Sequence, residues 1–258
     1  MPTIEPQPHE HRDVAESFGA QAERYDRARP DYPTEIIDRI VREAPGPRIL
    51  DVGIGTGIAA RQLQQAGCTV LGVEPDERMA ALARGGGTDV EVATFEDWEP
   101  RGRTFDAVVA AQAWHWVDPL AGAVTAAGVL RPGSRLTVFW NVFQPPPEVA
   151  SVLAGAFSRF VPQAPAFFDR PAIDLYRSMM DSAGQGMIQA GAFHPPEEWR
   201  RPWTRHYTRA QLLEMLPTTG GMTRLPADTR TAILADLATG LVDTTIHYTT
   251  VAVTARRR

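Results

Sequence analysis

Short apolar runs, separated by polar or Gly/Pro-rich breaks, recur along the first half of the chain. Arg48–Val52, Thr69–Val73, residues 89–93 and Phe105–Ala111 are too short for helices and rich in Val, Ile and Leu, so they read as buried strands. Between them, apolar residues fall at helical spacing. Ile36, Ile37, Ile40 and Val41 share one face of a helix that Thr34 can cap and Ala44-Pro45-Gly46-Pro47 ends. Residues 57–66 form the next helix, stopped by Gly67, and Asp76 caps another over 77–84. Asp118-Pro119 is an N-cap followed by Pro at the first helical position, which starts a helix running to about Leu130. Residues 135–140 follow as a fifth strand. Strand alternating with helix predicts an α/β fold with a doubly wound, mostly parallel sheet.

The second half is patterned differently. Residues 142–195 lack strand character and carry Pro145-Pro146-Pro147, a helical piece over 148–160 and the segment Tyr176–Met180. They read as a helical cap inserted after the fifth strand. Glu198–Tyr207 and Thr244–Thr254 alternate weakly and should pair antiparallel, which brings the sheet to seven strands. Helices at Arg209–Leu216, capped by Thr208, and at Asp228–Leu237 lie between them. The expected division is a mobile tail over 1–13, a cofactor-binding core with an N-terminal lid over 14–141, the cap over 142–195, and the rest of the sheet over 196–258. Val14–Arg27 is the helix of that lid.

Candidate chemistry gathers at the first strand end. Asp51 closes the strand, and Gly53, Gly55 and Gly57 form a turn whose backbone can approach a ligand closely. Glu74 ends the second strand, where an acid in a doubly wound sheet holds ribose hydroxyls. Together these indicate a nucleoside-containing cofactor. The glycine spacing does not exclude a dinucleotide, because Gly55, Gly57 and Ala60 satisfy G-x-G-x-x-G/A. Charge separates the options. Asp51 beside a pyrophosphate meets like charge, whereas beside S-adenosylmethionine it meets an ammonium and a sulfonium. Opposite charges at ~4 Å attract by several kcal/mol at intermediate dielectric.

Ile49–Gly57 resembles motif I of class I S-adenosylmethionine-dependent methyltransferases, and Val70–Met79 resembles the segment that follows it. Phe105–Val117 is similar to the fourth-strand motif of that family. The opening Phe18-Gly19, Tyr25-Asp26, Arg29-Pro30 and Tyr32-Pro33 is similar to that of small-molecule enzymes of the ubiquinone-biosynthesis-like and trans-aconitate-methyltransferase-like kind. The resemblance covers residues 15–141 and is thin beyond. It implies a Rossmann-like fold, S-adenosylmethionine as cofactor, and methylation of oxygen, nitrogen or carbon on a small molecule. It further implies that Tyr25 and Arg29 close over the cofactor, with Arg29 on its carboxylate. Pro75 and Met79 would flank the adenine, and Phe95 and Glu96 would hold it, with Asp97 as the alternative acid. Gln112 and Ala113 would lie beneath the cofactor at the sheet edge.

His115 is the histidine that this motif places at the catalytic edge, as a proton acceptor or as a ring packed between two tryptophans. Trp114, Trp116, Trp140, Phe143, Phe167 and Phe168 are candidates for an apolar acceptor pocket or for core. The same fold could also serve a pericyclase or cyclase, or a non-catalytic cofactor-binding protein. A nicotinamide oxidoreductase is the weakest alternative.

Composition narrows the rest. The chain has 258 residues, 43% of them hydrophobic, and a net charge of −5, which argues against an extended nucleic-acid surface. All 26 basic residues are Arg. One cysteine, Cys68, excludes an internal disulfide framework, and His spacing suggests no metal. No apolar run is long enough to span a bilayer, so a cytoplasmic protein without membrane contact is expected. The sequence assigns no oligomeric state and no acceptor atom.

Overall fold

A computed structural model describes residues 18–161, 171–223 and 225–258. Seven strands form one sheet in the order β3-β2-β1-β4-β5-β7-β6. They are β1 (Arg48–Val52), β2 (Thr69–Glu74), β3 (Asp89–Val92), β4 (Phe105–Ala111), β5 (Leu130–Gln144), β6 (Glu197–Tyr207) and β7 (Thr244–Arg256). β1 to β5 run parallel, and β7 is antiparallel to both β5 and β6. This is the Rossmann-like arrangement expected from the pattern. The order reverses beside β1, so the segments that leave β1 and β4 turn to opposite faces of the sheet and open a crevice at the strands' carboxyl ends.

Alternation along the strands feeds two cores. One face is covered by α2 (Thr34–Glu43), α3 (Ile58–Gln65) and α4 (Glu77–Gly85), which follow a short α1 (Ala22–Ala28). Ile36, Ile37, Ile40, Ile58 and Leu63 pack there on Ile49, Val70, Val109 and Phe139. On the other face, α5 (Pro119–Val129) and α7 (Ala172–Gln189) pack Ala123, Ala126, Met180 and Met187 onto Leu50, Val108, Val138 and Val251. The caps are mostly those the sequence indicates. Asp76 accepts from the Arg78 and Met79 N–H groups, Asp118 from Leu120 and Ala121, and Thr208 forms a capping box with Gln211. Thr34 does not cap α2; Pro33 holds that position, without a side-chain cap.

In the second half, β5 starts at Leu130 and runs to Gln144, well beyond 135–140 at both ends. Within the segment expected as a cap, α7 lies on the sheet and against α5. A third core joins α6 (Pro147–Ser158), α8 (Arg209–Met215), a short α9 (Gly220–Thr223) and α10 (Ala227–Gly240) around Leu153, Leu212, Met222, Ile233 and Tyr248. The proposed tail, and Phe167 and Phe168, lie outside the described residues. Of the helix expected over Val14–Arg27, the described part is a 3-10 turn at Phe18–Gln21 followed by α1.

Candidate functional site

The main cleft opens at the carboxyl ends of β1, β2 and β4, where the strand order reverses. Its floor is the turn after β1. Gly53 has φ of 63°, and a Cβ there would come within 2.4 Å of the Ala113 Cβ, so only glycine lets this turn sit against the end of β4. The N-terminus of α3 follows directly, and the buried Thr56 hydroxyl beside it has no partner among the described residues.

Two carboxylates meet under this turn. Asp51 is 1% exposed, and neither of its oxygens has a hydrogen-bond partner among the described residues. Burial, with the nearby Glu74, pushes its pKa up to about 8. Glu74 lines the cleft. Its Oε2 accepts from Gly55 N–H at 2.9 Å and its Oε1 from Asp76 N–H at 3.0 Å. Burial raises its pKa to about 7 despite those two bonds. Each Glu74 oxygen keeps a further lone pair.

The cleft brings together Tyr25, Arg29, Gly53, Gly55, Glu74, Pro75, Met79, Phe95, Glu96, Gln112, Ala113, His115 and Trp116 from the sequence reading. Asp51 and Gly57 sit behind the turn and do not line it. Of the two acids after β3, Glu96 faces the cleft and accepts from Asp118 N–H at 2.9 Å. Asp97 is exposed and takes the Thr94 hydroxyl at 2.6 Å. Phe95 is buried against Trp98, with ring centroids 6.0 Å apart.

Arg29 lies over the Tyr25 ring at 4.9 Å and donates through Nη2 to the Thr218 carbonyl at 2.6 Å. Its Nε is buried without a partner, and no carboxylate among the described residues pairs with it. Gln112 has φ of 59°, a conformation that a non-glycine residue rarely adopts. Its backbone N–H donates to Phe139 O at 2.8 Å and its side chain to Asn141 O at 3.2 Å, which hold this strained position at the end of β4.

Two of the aromatic candidates belong to the core. Trp114 is 2% exposed and packs into the core beside Phe95 and Gly122. Trp140 is fully buried in β5 and reaches the site only through its indole, whose Nε1 donates to His115 Nδ1 at 3.2 Å. That bond occupies the Nδ1 lone pair, and burial pushes the His115 pKa down to about 3. His115 therefore does not present Nδ1 to a substrate proton. Phe143 borders a smaller adjoining lobe with Asn141, Leu216 and Tyr248, and Tyr25, Arg29, Tyr32, Gln112 and Tyr176 line both lobes.

Sequence reasoning missed Tyr176 and Met179 of α7, and Gly220 of α9, all of which line the cleft. The spacing of Tyr176 and Met179 puts them on one helix face, the only signal available. Among the described residues no group of three or more His, Cys, Asp or Glu could hold a metal. None of the described helices is long and apolar enough to cross a membrane.

Comparison with known proteins bears on this geometry. Residues 50–138 match the family model described as a methyltransferase domain. An uncharacterized methyltransferase of Mycobacterium tuberculosis is 41% identical over 132 residues, which cover 50% of this chain and 54% of that protein. A ubiquinone biosynthesis O-methyltransferase of Methylocella silvestris is 36% identical over 102 residues, 37% of this chain and 40% of that protein. The chain thus spans about half or less of the length of these curated relatives. Among solved structures, one assigned as a type II methyltransferase from Anaeromyxobacter dehalogenans superposes with a TM-score of 0.62. It is 22% identical, and the match covers 88% of this chain and 97% of that one, a likeness of fold.

Proposed function

We propose that this chain, which carries a methyltransferase domain over residues 50–138, transfers the methyl group of S-adenosylmethionine to a small-molecule acceptor. The observation that carries this reading is Asp51, buried with both oxygens unpartnered beneath the glycine turn. Because a buried anion without a partner costs several kcal/mol, the ligand-free Asp51 keeps its proton up to about pH 8. An ammonium or sulfonium supplies the missing partner, and a pyrophosphate does not. The donor set fits the cofactor elsewhere too. Glu74 would accept the two ribose hydroxyls with its remaining lone pairs. Met79, Pro75, Phe95 and Glu96 would enclose the adenine, and Arg29 would meet the carboxylate.

When bound, S-adenosylmethionine supplies an electrophilic methyl group and a neutral thioether leaving group. The chain's own part is orientation and exclusion of water. Gln112 and Ala113 fix the floor at the end of β4. Tyr25 and Arg29 on one side, and Tyr176 and Met179 on the other, close the cleft around the reacting atoms. The adjoining lobe beside Phe143 and Asn141 would receive the acceptor. Relatives named for O-methylation make an oxygen acceptor the first class to test.

The test is incubation of the purified protein with S-adenosylmethionine and a panel of carboxylic acids, phenols and amines, followed by mass spectrometry. S-adenosylhomocysteine should accumulate only with an accepted substrate, alongside a product heavier by one methylene. Cofactor binding without turnover across the panel would favour a non-catalytic protein. A rearranged product without S-adenosylhomocysteine would favour a cyclase.

A further inference from the structure

We propose that His115 serves the acceptor as a hydrogen-bond donor through Nε2–H, held in that tautomer by Trp140, and not as a proton acceptor. The acceptor's identity rests on the methyltransferase reading above; the tautomer does not.

An indole N–H can only donate, so the histidine nitrogen that faces it must carry a lone pair. Trp140 Nε1 faces His115 Nδ1 at 3.2 Å. A neutral imidazole has a single N–H, which is therefore on Nε2. Neither partner is free to turn. Trp140 is fully buried in β5, paired with Val251 of β7. His115 sits in the 3-10 turn Trp114–Trp116, which is closed by Trp116 N–H to Ala113 O at 2.9 Å and Val117 N–H to Trp114 O at 3.1 Å. Its ring also lies against that of Trp116 at 4.7 Å. Protonating Nδ1 would set two N–H groups against each other at a part-buried contact, and desolvation already favours the neutral ring. His115 lines the cleft, and no described residue hydrogen-bonds to Nε2.

The rest of the cleft agrees with a donor. The other titratable groups that line it are Tyr25, Arg29, Tyr32, Glu74, Glu96 and Tyr176. Arg29 is a cation, and Tyr32 and Tyr176 are held protonated by burial. Glu74 and Glu96 already accept backbone N–H groups, at the ends of the cleft assigned to ribose and adenine. With Arg29 assigned to the cofactor carboxylate and the Tyr176 hydroxyl donating to Asn141 O, the described lining offers the acceptor the His115 Nε2–H and no carboxylate that is not already accepting a backbone N–H. It suits an acceptor that arrives with a negatively charged or carbonyl oxygen at, or next to, the reacting atom. A protonated amine, or an alcohol needing deprotonation, does not suit it.

Nitrogen-15 NMR of the full-length protein labelled at histidine tests this without any substrate. His115→Gln assigns the resonance by its loss. The account expects an unprotonated Nδ1 and a protonated Nε2, unchanged from pH 5 to 8. A proton on Nδ1, or a titration midpoint inside that range, would overturn it. In Trp140→Phe the same ring should lose its tautomer preference and titrate at higher pH; an unchanged spectrum in a folded variant would contradict the role of Trp140. Should that variant not fold, the wild-type spectrum decides alone. With an accepted substrate, His115→Gln keeps an amide N–H and should retain at least tenfold more kcat than His115→Ala. Equal losses, with an acidic limb in the wild-type pH–rate profile that both variants lack, would restore the base. No methyl transfer with the tautomer intact would overturn the proposed reaction and the acceptor role with it.

Discussion

The β1–β2 side of the cleft carries carboxylates, and the side formed by α1, α7 and the end of β4 carries hydrogen-bond donors. Glu74 lines the first and Asp51 sits behind the turn beneath it, both buried and raised in pKa. Arg29, His115 and Tyr176 lie on the second, without an acid among them. Asp51, Glu74 and Tyr176 are buried and Arg29 and His115 half-buried, and the two sets are supported differently. Glu74 is braced by two backbone N–H groups and Asp51 by no hydrogen bond among the described residues, whereas His115 and Tyr176 are anchored through Trp140 and the Asn141 carbonyl on β5. On the proposed reading, a site built this way would hold a cation at one end and an electron-rich oxygen at the other, the two partners of a methyl transfer.

The sharpest way to break the comparison is Asp51→Asn. If Asp51 is reserved for a cation, the variant should lose S-adenosylmethionine affinity by at least about 30-fold, the ~2 kcal/mol of a buried charge-assisted pair. Ligand-free stability should move the other way. A carboxyl whose folded-state pKa is raised to about 8 keeps its proton when the unfolded chain has lost it. Stability therefore falls as pH rises from about 4 towards 8. Thermal melts across that window should show this slope in the wild type and a shallower one in Asp51→Asn. Parallel slopes would mean that Asp51 already has a partner.

A smaller effect is expected at Glu74. Glu74→Ala removes the acceptor proposed for two ribose hydroxyls and should weaken cofactor binding by about tenfold, the ~1.4 kcal/mol step. It also strands the Gly55 and Asp76 N–H groups, so stability should drop by about 1–3 kcal/mol. Unchanged affinity in a folded variant would remove the ribose role. Smallest is the change expected in the cover. Arg24 donates to the Glu214 and Leu213 carbonyls, and Arg29 to Thr218, tying α1 to the end of α8. Hydrogen exchange should slow in residues 22–33 and 213–223 together when S-adenosylhomocysteine binds. Slowing in only one of the two would separate them.

The carboxylate side was readable in the sequence and much of the donor side was not. Asp51, the glycine turn and Glu74 are local signals: each closes a short apolar run, so a pattern of strand and turn places them in space. Asp76 and Asp118 advertise helix starts in the same way. β5 hid its beginning because Arg131-Pro132-Gly133 reads as a turn, while the structure carries the strand through it with a shift in register between Phe105 and Ala107 on β4. α7 was obscured by small residues. Gly186 looks like a helix breaker, yet a Cβ there would strike the Pro119 carbonyl at 2.1 Å, so the glycine lets α7 reach the start of α5. The contact of Trp140 with His115 joins two elements and has no trace in local pattern, which is why a base looked natural for that histidine.

The most direct measurement is titration calorimetry of the full chain with S-adenosylhomocysteine and, separately, with NAD. The account predicts saturable binding of S-adenosylhomocysteine, weakened in Asp51→Asn and Glu74→Ala, with no comparable heat from NAD. Tighter binding of NAD, or S-adenosylhomocysteine binding that neither substitution alters, would contradict it.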